Sequence, residues 1–156
     1  MKQGGSVANE TGKNLETFVE NKLKDLKYTF VKKVHFKAAL ILKQKFFTKQ
    51  LVVGETIYNT EWSPDFTVYT PDKFHCLLIE CKWQEKGGST DEKYPYVVLN
   101  IKEKSQYPAI ILLDGGGYKA GAEEWLKHQV DEEKIIGVFN MGEFTKWANQ
   151  NLSIAP

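Results

Sequence analysis

Leu15, Phe18, Val19, Leu23 and Leu26 recur at helical spacing, which predicts an amphipathic helix from Gly12 to Lys27. The polar stretch before it, residues 1–11 with Gly4-Gly5, is expected to be a flexible tail, leaving residues 12–156 as a single domain. Beyond the helix, Val34 to Leu42 and Phe46 to Val53 read as extended, and Gly54 breaks the second run before Glu55 to Tyr58. Two or three strands are expected there. Asp65 to Thr70 and Cys76 to Lys82 are rich in β-branched, aromatic and aliphatic residues, and Thr70-Pro71-Asp72-Lys73 between them is turn chemistry, so the pair predicts a hairpin.

After a loop at Glu85 to Gly88, a helix is expected from Thr90 to Lys104. Ser89 and Glu92 are spaced for a capping box, and Pro95 lies in the opening turns, where proline is tolerated. Pro108 to Asp114 and Ile135 to Asn140 are short apolar runs suited to strands buried on both faces. Helices are predicted from Lys119 to Val130 and from Gly142 to Asn151. The order α-β-β-β-α-β-α-β-α implies an α/β fold whose mixed sheet carries helices on both faces.

The hairpin concentrates charge. A turn centred between Asp72 and Lys73 sets Asp65 directly opposite Glu80, and Lys82 projects from the same strand face as Glu80. Opposed carboxylates repel, so a cation must lie between them or one must hold a proton. The apolar run Leu77-Leu78-Ile79 buries the strand up to this charged end. Two carboxylates with an amine beside them suit a divalent-metal site for phosphodiester cleavage. Gln84 follows on the same face; it would hold a water or a phosphate oxygen, or else cap the loop.

Composition narrows the picture. With 156 residues, 42% hydrophobic and 13% aromatic, the chain can bury a sizeable core. It contains no apolar run long enough to span a membrane and opens with no signal-peptide pattern, so a cytoplasmic protein is expected. Cys76 and Cys81 read as reduced core thiols, and His75 beside Cys76 does not complete a zinc ligand pattern. Asp114-Gly115-Gly116-Gly117 lacks the spacing of a phosphate loop and reads as a tight strand-to-helix turn.

Net charge is +1, but no acidic residue lies between Asp25 and Glu55, where Lys27, Lys32, Lys33, Lys37, Lys43, Lys45 and Lys49 fall among aromatic residues. This stripe suits either a lysine-protected edge strand or a surface that tracks phosphates. All 21 basic residues are lysine. Without arginine, extensive guanine readout in the major groove is disfavoured. Trp62 is expected to cover the hairpin rather than stack on a base.

The motif Pro64-Asp65, then Glu80-Cys81-Lys82, in this setting of helix, hairpin and alternating strands, resembles the PD-(D/E)xK nuclease superfamily, the restriction-endonuclease-like fold. The similarity spans roughly Gly12 to Asn151. It implies that Asp65, Glu80 and the backbone carbonyl of Cys81 bind Mg²⁺, with Mn²⁺ as a substitute, and that Lys82 handles the attacking water. It also implies a further acidic ligand from the first helix, Glu16 or Glu20, with Glu16 preferred, and products ending in 5′-phosphate and 3′-hydroxyl. Lys93, at the start of the helix after the hairpin, would reach the phosphate or serve as an ordinary surface lysine.

The expected activity is a Mg²⁺-dependent DNA endonuclease of restriction, homing or phage type, acting as a homodimer or higher assembly. A structure-selective Holliday-junction resolvase and a non-catalytic DNA-binding module are the alternatives.

Overall fold

The computed structural model describes residues 4–153. Helix α1 (Gly4–Asp25) buries Leu15, Val19 and Leu23 on one stripe, as their spacing requires. It starts well before Gly12, so much of the expected tail is helical. That stretch contains no proline, and a helix already nucleated by packing propagates at little cost. Residues 1–3 lie outside the described residues. Lys27, with φ +72°, turns the chain into the short strand β1 (Thr29–Phe30).

The next segment departs from expectation. Lys33–His35 is a 3₁₀ turn and Phe36–Ile41 a short helix, α2, where an extended run was predicted. Ala38 and Ala39 favour the helix, and helical spacing puts Phe36, Ala39 and Leu40 on one face. Val34 and Ile41 are left 78% and 80% exposed, so strand-like burial of the whole run is not achieved. Strand β2 (Phe46–Lys49) follows, then a separate ribbon of β3 (Gly54–Glu55) and β4 (Glu61–Trp62).

The hairpin forms as β5 (Phe66–Thr70) and β6 (Phe74–Trp83). Its ladder pairs Phe66 with Ile79, Thr67 with Leu78 and Val68 with Leu77, the expected register, and shifts only near the turn, where Thr70 meets Phe74. Beyond it lie a 3₁₀ turn (Thr90–Lys93), helix α3 (Tyr94–Leu99) and a π turn (Asn100–Lys104), covering the single helix expected there. Ser89 makes no side-chain cap; the tighter 3₁₀ turn replaces the capping box. The remaining elements, β7 (Ala109–Asp114), α4 (Ala120–Lys127), β8 (Ile135–Phe139) and α5 (Met141–Asn151), fall close to their predicted places. Helix α5 does carry a capping box, between Asn140 and Glu143.

The six-stranded mixed sheet runs β1-β2-β5-β6-β7-β8, with β6, β7 and β8 parallel. Residues of β6 alternate between two cores. Leu77 and Ile79 join Leu15, Val19, Phe66 and Phe144 on the α1/α5 face, while Leu78 joins Trp62, Tyr94, Ile101 and Leu126 on the other. The triple glycine lies against the end of β6: a Cβ on Gly117 would fall 2.1 Å from the Glu85 carbonyl carbon, and Gly117 N donates to Gln84 O at 2.7 Å. Close backbone approach, more than the turn itself, requires glycine there. Among the described residues no helix is long and apolar enough to cross a membrane.

Candidate active site

Asp65 occupies the first position outside the β5 ladder, and the pairing of Phe66 with Ile79 carries it opposite Glu80. Its Oδ2 accepts the Cys81 N–H at 2.7 Å, so the carboxylate lies where the strand would continue. Odd-numbered residues of β6 turn their main-chain groups toward β5, because even-numbered Leu78 and Gln84 donate toward β7, to Pro108 O and Asp114 O. The next partner of Cys81 in that ladder would be Pro64, which has no N–H. The ladder therefore supplies no donor to the Cys81 carbonyl. This is the physical content of the Pro-Asp pair: proline withholds a donor from one oxygen, and aspartate takes the neighbouring N–H.

Glu80 is buried, 7% exposed. Its Oε1 accepts the Trp62 indole N–H at 3.1 Å, and its Oε2 lies 3.8 Å from Lys82 Nζ. Burial pushes its carboxyl up to about 7, with Asp65 and Glu16 adding to the rise, against Lys82 and the Trp62 hydrogen bond. Glu16 reaches Asp65 from α1. Burial raises its carboxyl to about 7 as well, helped by a hydrogen bond to Asp65 and that residue's charge, while Lys49 and Lys82 pull it down. Burial and mutual repulsion thus both favour the protonated forms of these acids, as closely opposed carboxyls require.

Glu20 plays a different part. It pairs with Lys24 and Lys49 at 3.2 Å each, and these ammonium groups outweigh its burial and hold it below the usual carboxylate range. Glu16 is the helix acid that meets Asp65.

Gln84 lies near this cluster but its polar ends are engaged. Its Nε2 donates to Lys86 O and Gly117 O at 3.2 and 3.5 Å, and its Oε1 accepts from the Tyr94 hydroxyl at 3.0 Å. It tethers the glycine turn and α3 to the end of β6. Lys93 is exposed at the close of the 3₁₀ turn. Lys32, Lys33, Lys37 and Lys43 are exposed around α2, whereas Lys45 lies 4.7 Å from the Tyr28 ring centre and donates to Leu152 O, both part of the α1/α5 core. The stripe seen in the sequence divides between two surfaces.

Gln50 is a site neighbour the sequence did not single out. Its Nε2 donates to Asp65 Oδ1 at 3.3 Å, and it adopts φ +54°. The pairing of Lys49 with Phe66 brings Gln50 across from Asp65, a long-range match with no local signature. Both cysteines are free thiols, and burial raises Cys76 to about 11 and Cys81 well above its usual value. Neither suits a soft metal.

Among the described residues no group of three His, Cys, Asp or Glu side chains is placed to hold a metal ion by itself. The donors gathered here are hard oxygens, two carboxylates and a main-chain carbonyl with Glu16 adjoining. That set fits an ion such as Mg²⁺, which retains several waters.

The profile of the PD-(D/E)XK nuclease superfamily domain matches residues 7–152, nearly the whole chain. The protein belongs to this superfamily and is of nuclease type. No curated protein and no solved structure matches it.

Proposed function

We propose that the protein is a Mg²⁺-dependent DNA endonuclease, with Mn²⁺ able to substitute. The observation that carries this reading is Asp65 set across from Glu80 on paired strands, with Lys82 3.8 Å from Glu80. Asp65, Glu80 and the Cys81 carbonyl would hold the ion, with Glu16 adjoining. When bound, it polarises the phosphoryl oxygens and acidifies a coordinated water.

The chain's own residues set up the rest. The Cys81 N–H and Gln50 amide orient Asp65, and the Trp62 indole orients Glu80. Lys82 orients the attacking water and offsets charge gathering on the phosphoryl oxygens. The water loses a proton to solvent as its oxygen forms the new P–O bond, the bond to the 3′ oxygen breaks, and that oxygen takes a proton from solvent. Lys32, Lys33, Lys37 and Lys43 supply sequence-independent phosphate contacts. Cutting both strands calls for two such sites, hence a homodimer. Free thiols suit the reducing cytoplasm.

Lys82→Ala tests the chemistry apart from binding. Its cleavage rate is expected to fall by about 10²-fold or more, while duplex affinity measured by fluorescence anisotropy stays within about threefold, since one phosphate contact of many is lost. Full cleavage by that variant overturns the assignment.

A further inference from the structure

The β3–β4 ribbon ends in an exposed aromatic ring. Tyr58 is 72% exposed yet stacked on Tyr96 of α3, ring centres 5.2 Å apart and planes 25° from parallel. A ring serving only to pack would bury more of itself. One face meets Tyr96, and the high exposure leaves the other to solvent.

The mounting is rigid. Thr56 N donates to Thr60 O at 2.8 Å, Asn59 N to Thr56 O at 2.9 Å, and the Thr56 and Thr60 hydroxyls meet at 2.7 Å. The buried Asn100 amide oxygen accepts Ile57 N at 2.9 Å, docking the ribbon tip on the helix. A platform fixed in advance loses little freedom when something stacks on it.

The same ribbon reaches the active site, because Trp62 at its far end binds Glu80. Tyr58 is four residues from Trp62, at most about 14 Å of chain, so the tip lies within a few nucleotides of the site. Lys93 stands three residues before Tyr96 on one continuous helical stretch, so it shares that face with the stack and is exposed.

We infer that the Tyr58–Tyr96 stack is a platform for an unpaired DNA base a few nucleotides from the scissile phosphate, with Lys93 on the adjoining phosphate. The inference rests on the nuclease reading and extends it. The substrate carries single-stranded or splayed nucleotides beside the cut, because a base held in a duplex cannot offer its face to a protein ring.

The test uses the full chain carrying Lys82→Ala, so that cleavage is silent, in Mg²⁺. Fluorescence anisotropy reads binding to a labelled flap substrate, a matched full duplex and a thymine oligonucleotide. Adding Tyr58→Ala or Tyr58→Leu should weaken flap and single-strand binding about 5- to 150-fold, leave the duplex within twofold, and lower the thermal midpoint by no more than about 5 °C, the worth of one aromatic pair. Tyr58→Phe should bind like the parent. Leucine restores apolar area without a π face, so parent-like binding by Tyr58→Leu overturns the inference, as does equal loss on all three substrates. A parent that binds duplex but neither unpaired substrate overturns it while sparing the nuclease reading. A parent that binds none of the three overturns both.

Discussion

Glu80 shows how a site is built against stability. Burial favours its protonated form and the Asp65 and Glu16 charges add to this, so its carboxyl is raised from 4.5 to about 7. Its contribution to metal-free stability is fully present below pH 4.5 and is lost as pH rises through about 7, a swing on the order of 3 kcal/mol. Glu16, raised in the same direction, adds a smaller loss because it is more open to solvent. Glu80→Gln keeps the acceptor for Trp62 and removes the charge. Its metal-free thermal midpoint at pH 8 should rise by roughly 3–8 °C, its stability should vary less between pH 4.5 and 7, and cleavage should be lost. A lower midpoint at pH 8 would contradict the burial argument. On the proposed function a bound cation would displace the protons that burial favours on these acids, so wild-type activity should climb through neutral pH.

At the level of elements, the hairpin register was legible because its turn is short: the turn centres on Asp72 instead of between Asp72 and Lys73, and the irregularity between Val68 and Thr70 restores the expected pairing before the charged end. Asp65 therefore meets Glu80 as the spacing implies. Gln50 was not legible: it reaches Asp65 through the pairing of β2 with β5, and the β3–β4 ribbon between those strands leaves no short turn from which to read their register. Helix α2 is not legible because an apolar run of this length satisfies either period, and the outcome depends on which residues find a core. Pro64 gives the hairpin a test of its own. Pro64→Ala restores an N–H opposite the Cys81 carbonyl, and competition from one hydrogen bond, worth about 1 kcal/mol, should raise the Mg²⁺ concentration for half-maximal cleavage by about fivefold. An unchanged Mg²⁺ requirement would mean that this carbonyl is not a ligand.

Over the whole molecule, two apolar layers pack against one sheet and leave charge at the strand end where α1, β5 and β6 converge. The alternating pattern after the hairpin announced this architecture, since short apolar strands between amphipathic helices have few other ways to bury both faces. The surface was harder to read. Consecutive lysines in sequence separate once β2 passes through the sheet, which is why Lys45 faces the α1/α5 core while Lys32, Lys33 and Lys37 lie around α2. The central claim, a phosphodiester-cleaving site at Asp65, Glu80 and Lys82, is tested most directly on supercoiled plasmid DNA with Mg²⁺ or Mn²⁺, run beside Asp65→Ala and a chelated control. Nicked, linear or fragmented DNA from the wild-type protein alone is the predicted result, and a plasmid and a flap substrate both left intact by folded, metal-supplied wild-type protein, or equal cleavage by Asp65→Ala, would contradict it.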